Sequence, residues 1–298
     1  MPQLPLDQVE SVVQYLALAA ALEGEGQYNL AKLLRAAVDA ILRRAAYQQA
    51  MPREKNLLAG EIERAAQALA TSSAGADLSA AMRSGAARMA EGHLPLVHET
   101  PHPYVCRTCG QTVLEAPTQD CPTCGASPAT FQRFPPVYWL EALDPFQALA
   151  YLRRTPGQVA ALLDGLSEGA LSRQPEDGGW SVRNVLSHLH DAQSLLNFRI
   201  KLMLQEENPS LESKAVFEWA KEEAERPLSA RQILDAYLAS RRETLSNLES
   251  IPVKDWWRSG RHEEFGTVTI CLQASYFAMH EITHLSQLES LRSQAMVS

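Results

Sequence analysis

Residues 276–288, Tyr276-Phe277-Ala278-Met279-His280-Glu281-Ile282-Thr283-His284-Leu285-Ser286-Gln287-Leu288, place apolar side chains at helical spacing with two histidines among them. At about 100° per residue, His280 and His284 share the stripe of Tyr276, Phe277, Gln287, Leu288 and Leu291, which points into a helical core, while Glu281 points elsewhere. Two imidazoles turned into a core need partners, because each buried polar group left unpaired costs ~1–3 kcal/mol. A metal ion would supply them. The letters also spell the His-Glu-x-x-His of zinc proteases. Those enzymes take a third ligand downstream, whereas here no Gly-x-x-His follows His284 and Glu289 lies in the same helix, so the protease reading is set aside.

The same period recurs over 145–166, 181–206 and 229–249, which with 269–294 predicts a four-helix bundle within residues 137–298. On the second of these helices His188 flanks the stripe of Val182, Val185, Leu186, Leu189 and Leu196 and offers a third nitrogen; His190 points away toward solvent. Arg199 and Arg241 are candidates for holding a substrate carboxylate, with surface ion pairs as the alternative. Asp191, one turn from His188, either orients a ligand or faces solvent. His262 reads as a gate residue or as an exposed loop histidine, and Cys271 as a small core residue.

A family resemblance covers nearly all of this region. Leu152-Arg153-Arg154-Thr155-Pro156-Gly157, Trp180-Ser181-Val182, His188-Leu189-His190-Asp191, Gly260-Arg261-His262-Glu263-Glu264-Phe265-Gly266 and His280-Glu281-Ile282-Thr283-His284-Leu285-Ser286-Gln287 resemble the DinB superfamily. That resemblance implies a four-helix bundle whose divalent metal, commonly nickel or zinc, is held by His188, His280 and His284; iron is a further candidate for the same ligands. The resemblance also implies chemistry of the kind found in members that transfer a low-molecular-weight thiol such as bacillithiol or mycothiol to an electrophile. Gln193 stands where relatives often carry Glu.

Residues 96–136 differ in character. Pro101, Pro103, Pro117, Pro122, Pro128, Pro135 and Pro136 exclude long helices, and Cys106-Arg-Thr-Cys109-Gly110 is followed by Cys121-Pro-Thr-Cys124-Gly125. Each Cys-x-x-Cys turn presents two thiolates to one tetrahedral ion, so four sulfurs mean zinc or iron. Tyr104-Val105-Cys106-Arg107-Thr108-Cys109-Gly110, Ala116-Pro117, Cys121-Pro122-Thr123-Cys124-Gly125-Ala126 and Phe131 resemble the rubredoxin-like module of rubrerythrins, which implies iron and electron transfer; Gln111 replaces the aromatic usual after the glycine.

Residues 1–95 are rich in Ala and Leu and predict four short helices in an antiparallel bundle, with a turn over Thr71–Asp77. Ala20-Ala21-Leu22-Glu23-Gly24 and Asn29-Leu30-Ala31-Lys32-Leu33-Leu34-Arg35 resemble ferritin-like helices. A di-iron centre needs a Glu-x-x-His from each of two helices, yet residues 1–90 hold no histidine, so Glu61 and Glu63 read as solvated and the bundle as degenerate.

The chain has 27 Lys and Arg against 35 Asp and Glu, a net charge of −8, which opposes nucleic-acid binding. Met1-Pro2-Gln3-Leu4-Pro5-Leu6-Asp7 lacks the basic and apolar regions of a signal peptide, and no long apolar run suggests a membrane span, so a cytoplasmic protein is expected. The expected architecture is all-α: two four-helix bundles joined by a small rubredoxin-like or zinc-ribbon-like four-cysteine module, over 1–95, 96–136 and 137–298. The leading function is a divalent-metal enzyme transferring a small-molecule thiol to a small electrophile. A non-enzymatic metal-binding or redox-responsive scaffold and a rubrerythrin-like peroxide or electron-transfer protein are the alternatives, and a homodimer would fit.

Overall fold

A computed structural model of the chain describes residues 6–47, 49, 51, 54–70, 75–136, 139, 142–175, 178–211 and 228–297. The all-α class holds, with two small sheets added. The chain divides into two compact units, Met1–Phe134 and Pro135–Ser298. No described helix is long and apolar enough to cross a membrane.

In the first unit α1 (Leu6–Gly24) packs against α2 (Tyr28–Tyr47), and α3 (Lys55–Ala70) against α4 (Ala76–Ala90). Small side chains permit the close approach: Ala19, Ala31, Ala59, Ala66 and Ala86 are buried, and Ser79 donates from Oγ to the Ala66 carbonyl across the α3–α4 seam. Arg35 grips Glu23 through two parallel hydrogen bonds of 2.7 and 2.8 Å, joining α2 to α1. Large apolar residues such as Val13 and Leu33 remain exposed, and Glu61 pairs with Arg64 at the surface. Residues 71–74 of the expected turn lie outside the described residues. A three-stranded antiparallel sheet follows, in which β1 (Tyr104–Cys106) pairs with β2 (Thr112–Val113) and β3 (Phe131–Arg133).

The second unit is built on four long helices: α5 (Pro145–Leu163), α7 (Val182–Gln205), α8 (Ala230–Ser250) and α9 (Ile270–Val297), with the short α6 (Glu168–Ser172) between α5 and α7. Their starts are fixed by side chains that accept from the otherwise unpaired first-turn N–H groups. Asp144 with Gln147, Ser181 with Asn184 and Ser229 with Gln232 each form a reciprocal pair. A second sheet, which the sequence reading missed, orders β4 (Ser210–Leu211), β5 (Ser259–His262) and β6 (Gly266–Thr269). Its strands are too short to show a period in the sequence. A Cβ on Gly260 would lie 2.8 Å from Leu211 Cδ1, so the β4–β5 contact needs a glycine there.

The core of this unit falls into two apolar clusters. One gathers Leu149, Leu152, Leu196, Ile200, Met203 and Phe277; the other gathers Val159, Leu163, Val185, Leu189, Ile233 and Leu288. Between these levels every long helix contributes buried polar groups: Thr155 on α5, Gln193 on α7, Arg241 and Thr244 on α8, and Glu281 on α9.

Candidate metal centres

His188 on α7 and His280 and His284 on α9 come together in the second unit. His188 Nε2 lies 3.2 Å from His280 Nε2, and His284 Nε2 lies 3.1 Å from the same atom. Zinc–nitrogen bonds of about 2.0–2.1 Å would require spacings of about 2.9–3.4 Å between ligand nitrogens, depending on the angle, so the three nitrogens fit one divalent ion. Burial is the main reason that His188 is lowered to about 4 and His280 to about 3, with the neighbouring histidines adding to it. Burial lowers His284 as well. All three imidazoles are therefore neutral near pH 7, as metal ligation requires. His284 Nδ1 and Gln287 Oε1 are 2.9 Å apart; a proton on Nδ1 leaves the Nε2 lone pair facing the other two rings.

Aromatic rings wall the group. Trp180 is parallel to His284 at 6.4 Å between centroids and lies 5.2 Å from His188, and Tyr276 is parallel to His280 at 5.8 Å. Gln287 was visible on the histidine stripe, three residues from His284, but its role depends on the rotamer. Trp180 precedes the Ser181 cap of α7, and nothing in its local sequence points it at a helix so distant along the chain.

The other candidate side chains are mostly covered. Glu281, the Glu of His-Glu-x-x-His, is buried and bound to Arg241, with Thr155 Oγ1 donating to Oε2 at 2.6 Å and Tyr237 OH to Oε1 at 3.3 Å. It is engaged away from the histidines, which removes the general base a zinc protease would need. Arg241 is neither a surface ion pair nor a substrate clamp: it is the buried partner of Glu281 and Gln193. Arg199 is also buried, donates to Gln273 Oε1 at 3.2 Å, and is lowered to about 10 by burial, with Tyr276 and Glu264 acting against that shift. His262 is not an exposed loop residue; it sits at the end of β5, buried, with its ring stacked on Phe265 and Nδ1 accepting from the Glu264 N–H at 3.2 Å. Burial, followed by the charge of Arg199, lowers it to about 3. Asp191 is mostly covered, lies 3.5 Å from His190 Nδ1, and acts electrostatically on His188; His190 is itself only 23% exposed.

The four cysteines form a second group. Cys106 Sγ is 3.8 Å from Cys124 Sγ, and Cys109 Sγ is 3.6 Å from Cys121 Sγ. A tetrahedron with zinc–sulfur bonds of about 2.3 Å has edges of about 3.8 Å, so the cluster fits a single ion. The two turns repeat one another: the Gly110 N–H donates to the Cys106 carbonyl and the Gly125 N–H to the Cys121 carbonyl, at 2.9 and 2.8 Å. Both glycines have positive φ, 81° and 72°, a conformation that a side chain would oppose. Cys271 stands apart, buried, with its thiol donating to the Leu143 carbonyl at 3.4 Å. Among the described residues these are the groups of three or more His, Cys, Asp or Glu that come close enough to hold a metal.

A four-helix bundle with three neutral imidazoles converging at its core defines a metal-binding helical domain rather than a hydrolytic triad or a nucleotide site. Residues 151–288 match the DinB superfamily, and the chain belongs to that family through them. It is similar to proteins named "Putative metal-dependent hydrolase". The one from Oceanobacillus iheyensis is 31% identical over 126 residues, covering 42% of this chain and 73% of that protein. The one from Geobacillus kaustophilus is 29% identical over 168 residues, covering 53% and 93%. The solved structure of YfiT from Bacillus subtilis aligns with a TM-score of 0.47 at 20% identity, over 52% of this chain and 90% of that one.

Proposed function

We propose that the second unit is a divalent-metal-dependent enzyme acting on small molecules, with His188, His280 and His284 as the metal ligands. The approach of His188 Nε2 and His284 Nε2 to 3.2 and 3.1 Å from His280 Nε2 carries this reading. His188, His280 and His284 would hold a divalent ion through three neutral imidazoles, and such an ion would lower the pKa of a thiol or a water bound to it. The favoured reaction is transfer of a low-molecular-weight thiol to a small electrophile: the sulfur–carbon bond forms, the bond from carbon to the leaving group breaks, and the thiol proton departs with the leaving group. Asp191, one turn from His188 on α7 and acting on it electrostatically, is the candidate carboxylate for that proton. Trp180 and Tyr276 line the ligands with apolar surface that limits water. Nickel, zinc and iron are the candidate metals.

Hydrolysis is the second reading, supported by the names of the relatives; it uses the same ligands, with water in place of the thiol. The two are separated by incubating metal-loaded protein with an alkyl halide or epoxide, with and without cysteine, bacillithiol or mycothiol. Thioether formation that needs the metal and is lost in His188→Ala supports transfer. Thiol-independent hydrolysis lost in the same variant supports the second reading, and no turnover by either route removes both.

For Cys106, Cys109, Cys121 and Cys124 we propose a zinc or iron centre. Visible absorption that bleaches on reduction would identify iron and an electron-transfer role, whereas a colourless zinc centre would identify a structural one.

A further inference from the structure

Pro156 inside α5 has no N–H, so the Leu152 carbonyl four residues earlier loses its helical partner. Arg241 Nη1 reaches across from α8 and donates to that oxygen at 2.8 Å, and to Thr155 Oγ1 at 3.1 Å. The same guanidinium donates from Nε to Gln193 Oε1 on α7 and from Nη2 to Glu281 Oε1 on α9. One side chain thus ties together all four long helices. Two of those ties fall beside the histidines: Glu281 follows His280 directly, and Gln193 lies five residues beyond His188.

We infer that Arg241 and Glu281 are positioning residues for the three-histidine centre, an inference that rests on reading that centre as a metal site. The ligand nitrogens must keep their spacing to within a few tenths of an ångström, and they come from two helices. Apolar packing tolerates small rotations and repacking. A planar guanidinium with fixed donor directions, held against a carboxylate and two neighbouring helices, does not. A buried ion pair is by contrast a weak source of net stability, because desolvation offsets most of its attraction.

The test is Arg241→Met/Glu281→Gln, which removes both charges together and leaves no uncompensated one. Zinc and nickel dissociation constants are measured by chelator competition for the site that His188→Ala lacks, with the cobalt absorption spectrum and the melting of the metal-free protein alongside. The expected result is a folded metal-free protein, affinity weakened by roughly 10–100-fold, and shifted cobalt bands. A folded double variant with wild-type affinity and spectrum overturns the inference. Should that variant not fold, Arg241→Lys keeps the charge but cannot span the same acceptors, and is expected to fold with roughly tenfold weaker binding; unchanged affinity overturns the inference. If the wild-type protein binds no more metal than His188→Ala, the reading of the centre fails and takes the inference with it, an outcome seen in the wild type alone.

Discussion

Arg241 and Glu281 face one another in the middle of the second unit with side chains 2% and 3% exposed, although Glu281 is the immediate neighbour of His280. The carboxylate is turned about a quarter of the way round the helix from that histidine, so the charge pair and the imidazoles look onto different sides of α9.

Removing one member of this pair should be costly. Arg241→Ala leaves the Glu281 carboxylate without its cation and the Leu152 carbonyl without its donor. A loss of ~3–5 kcal/mol is expected in denaturant unfolding of the second unit; a loss below about 1 kcal/mol would show that solvent replaces the guanidinium freely.

His188→Ala should lower the metal content by one ion per chain in elemental analysis while helicity is kept, because the ring is only partly buried and its removal strands no charge. Unchanged metal content would mean that His280 and His284 do not need it.

Cys109→Ser, which alters an exposed ligand, should remove the other ion and loosen residues 104–133 to limited proteolysis. Cys271→Ser should change neither, because its thiol sits elsewhere, against the Leu143 carbonyl. Equal metal loss in both variants would contradict the assignment.

The pH dependence of stability should carry a contribution from His262. Its folded-state pKa of about 3 is below the ordinary value of 6.5, so between these values the unfolded chain binds the extra proton. The contribution is full above pH 6.5 and is lost as the pH falls toward 3. Wild-type stability should therefore drop across this window by up to about 1.4 kcal/mol per pH unit more steeply than that of His262→Phe. Parallel curves for the two proteins would show that the histidine is protonated in place.

The helices of the second unit were legible because apolar residues recur at helical spacing and polar caps precede them: Asp144, Ser181 and Ser229 mark starts to within a residue or two of the expected limits. His280 and His284 were legible together, since four residues apart is one face of one helix. His188 was legible as a histidine flanking the stripe of its own helix, but it lies 92 residues from His280, and the family resemblance was what joined it to the other two. The β5–β6 hairpin and its pairing with Ser210 and Leu211 escaped notice because it depends on a segment about 50 residues away. For Arg199 and Arg241 a surface ion pair stood beside a substrate-binding role, and for His262 an exposed loop position stood beside a gate; surface is the usual place of such side chains, yet all three are buried.

The long helical segments, the side chains along each apolar stripe and the residues able to hold metal, four thiols on two turns and two imidazoles on one helix, were all present in the chain's local pattern. Those follow from the local period and from side-chain chemistry. That Glu281 pairs with Arg241, and that Arg241 fills the gap Pro156 leaves in α5, came from the packing of the four helices. The reason is that a helical period states where a residue sits on its own helix. What it meets there depends on the rotation and register of the other three helices, which packing of the whole bundle sets.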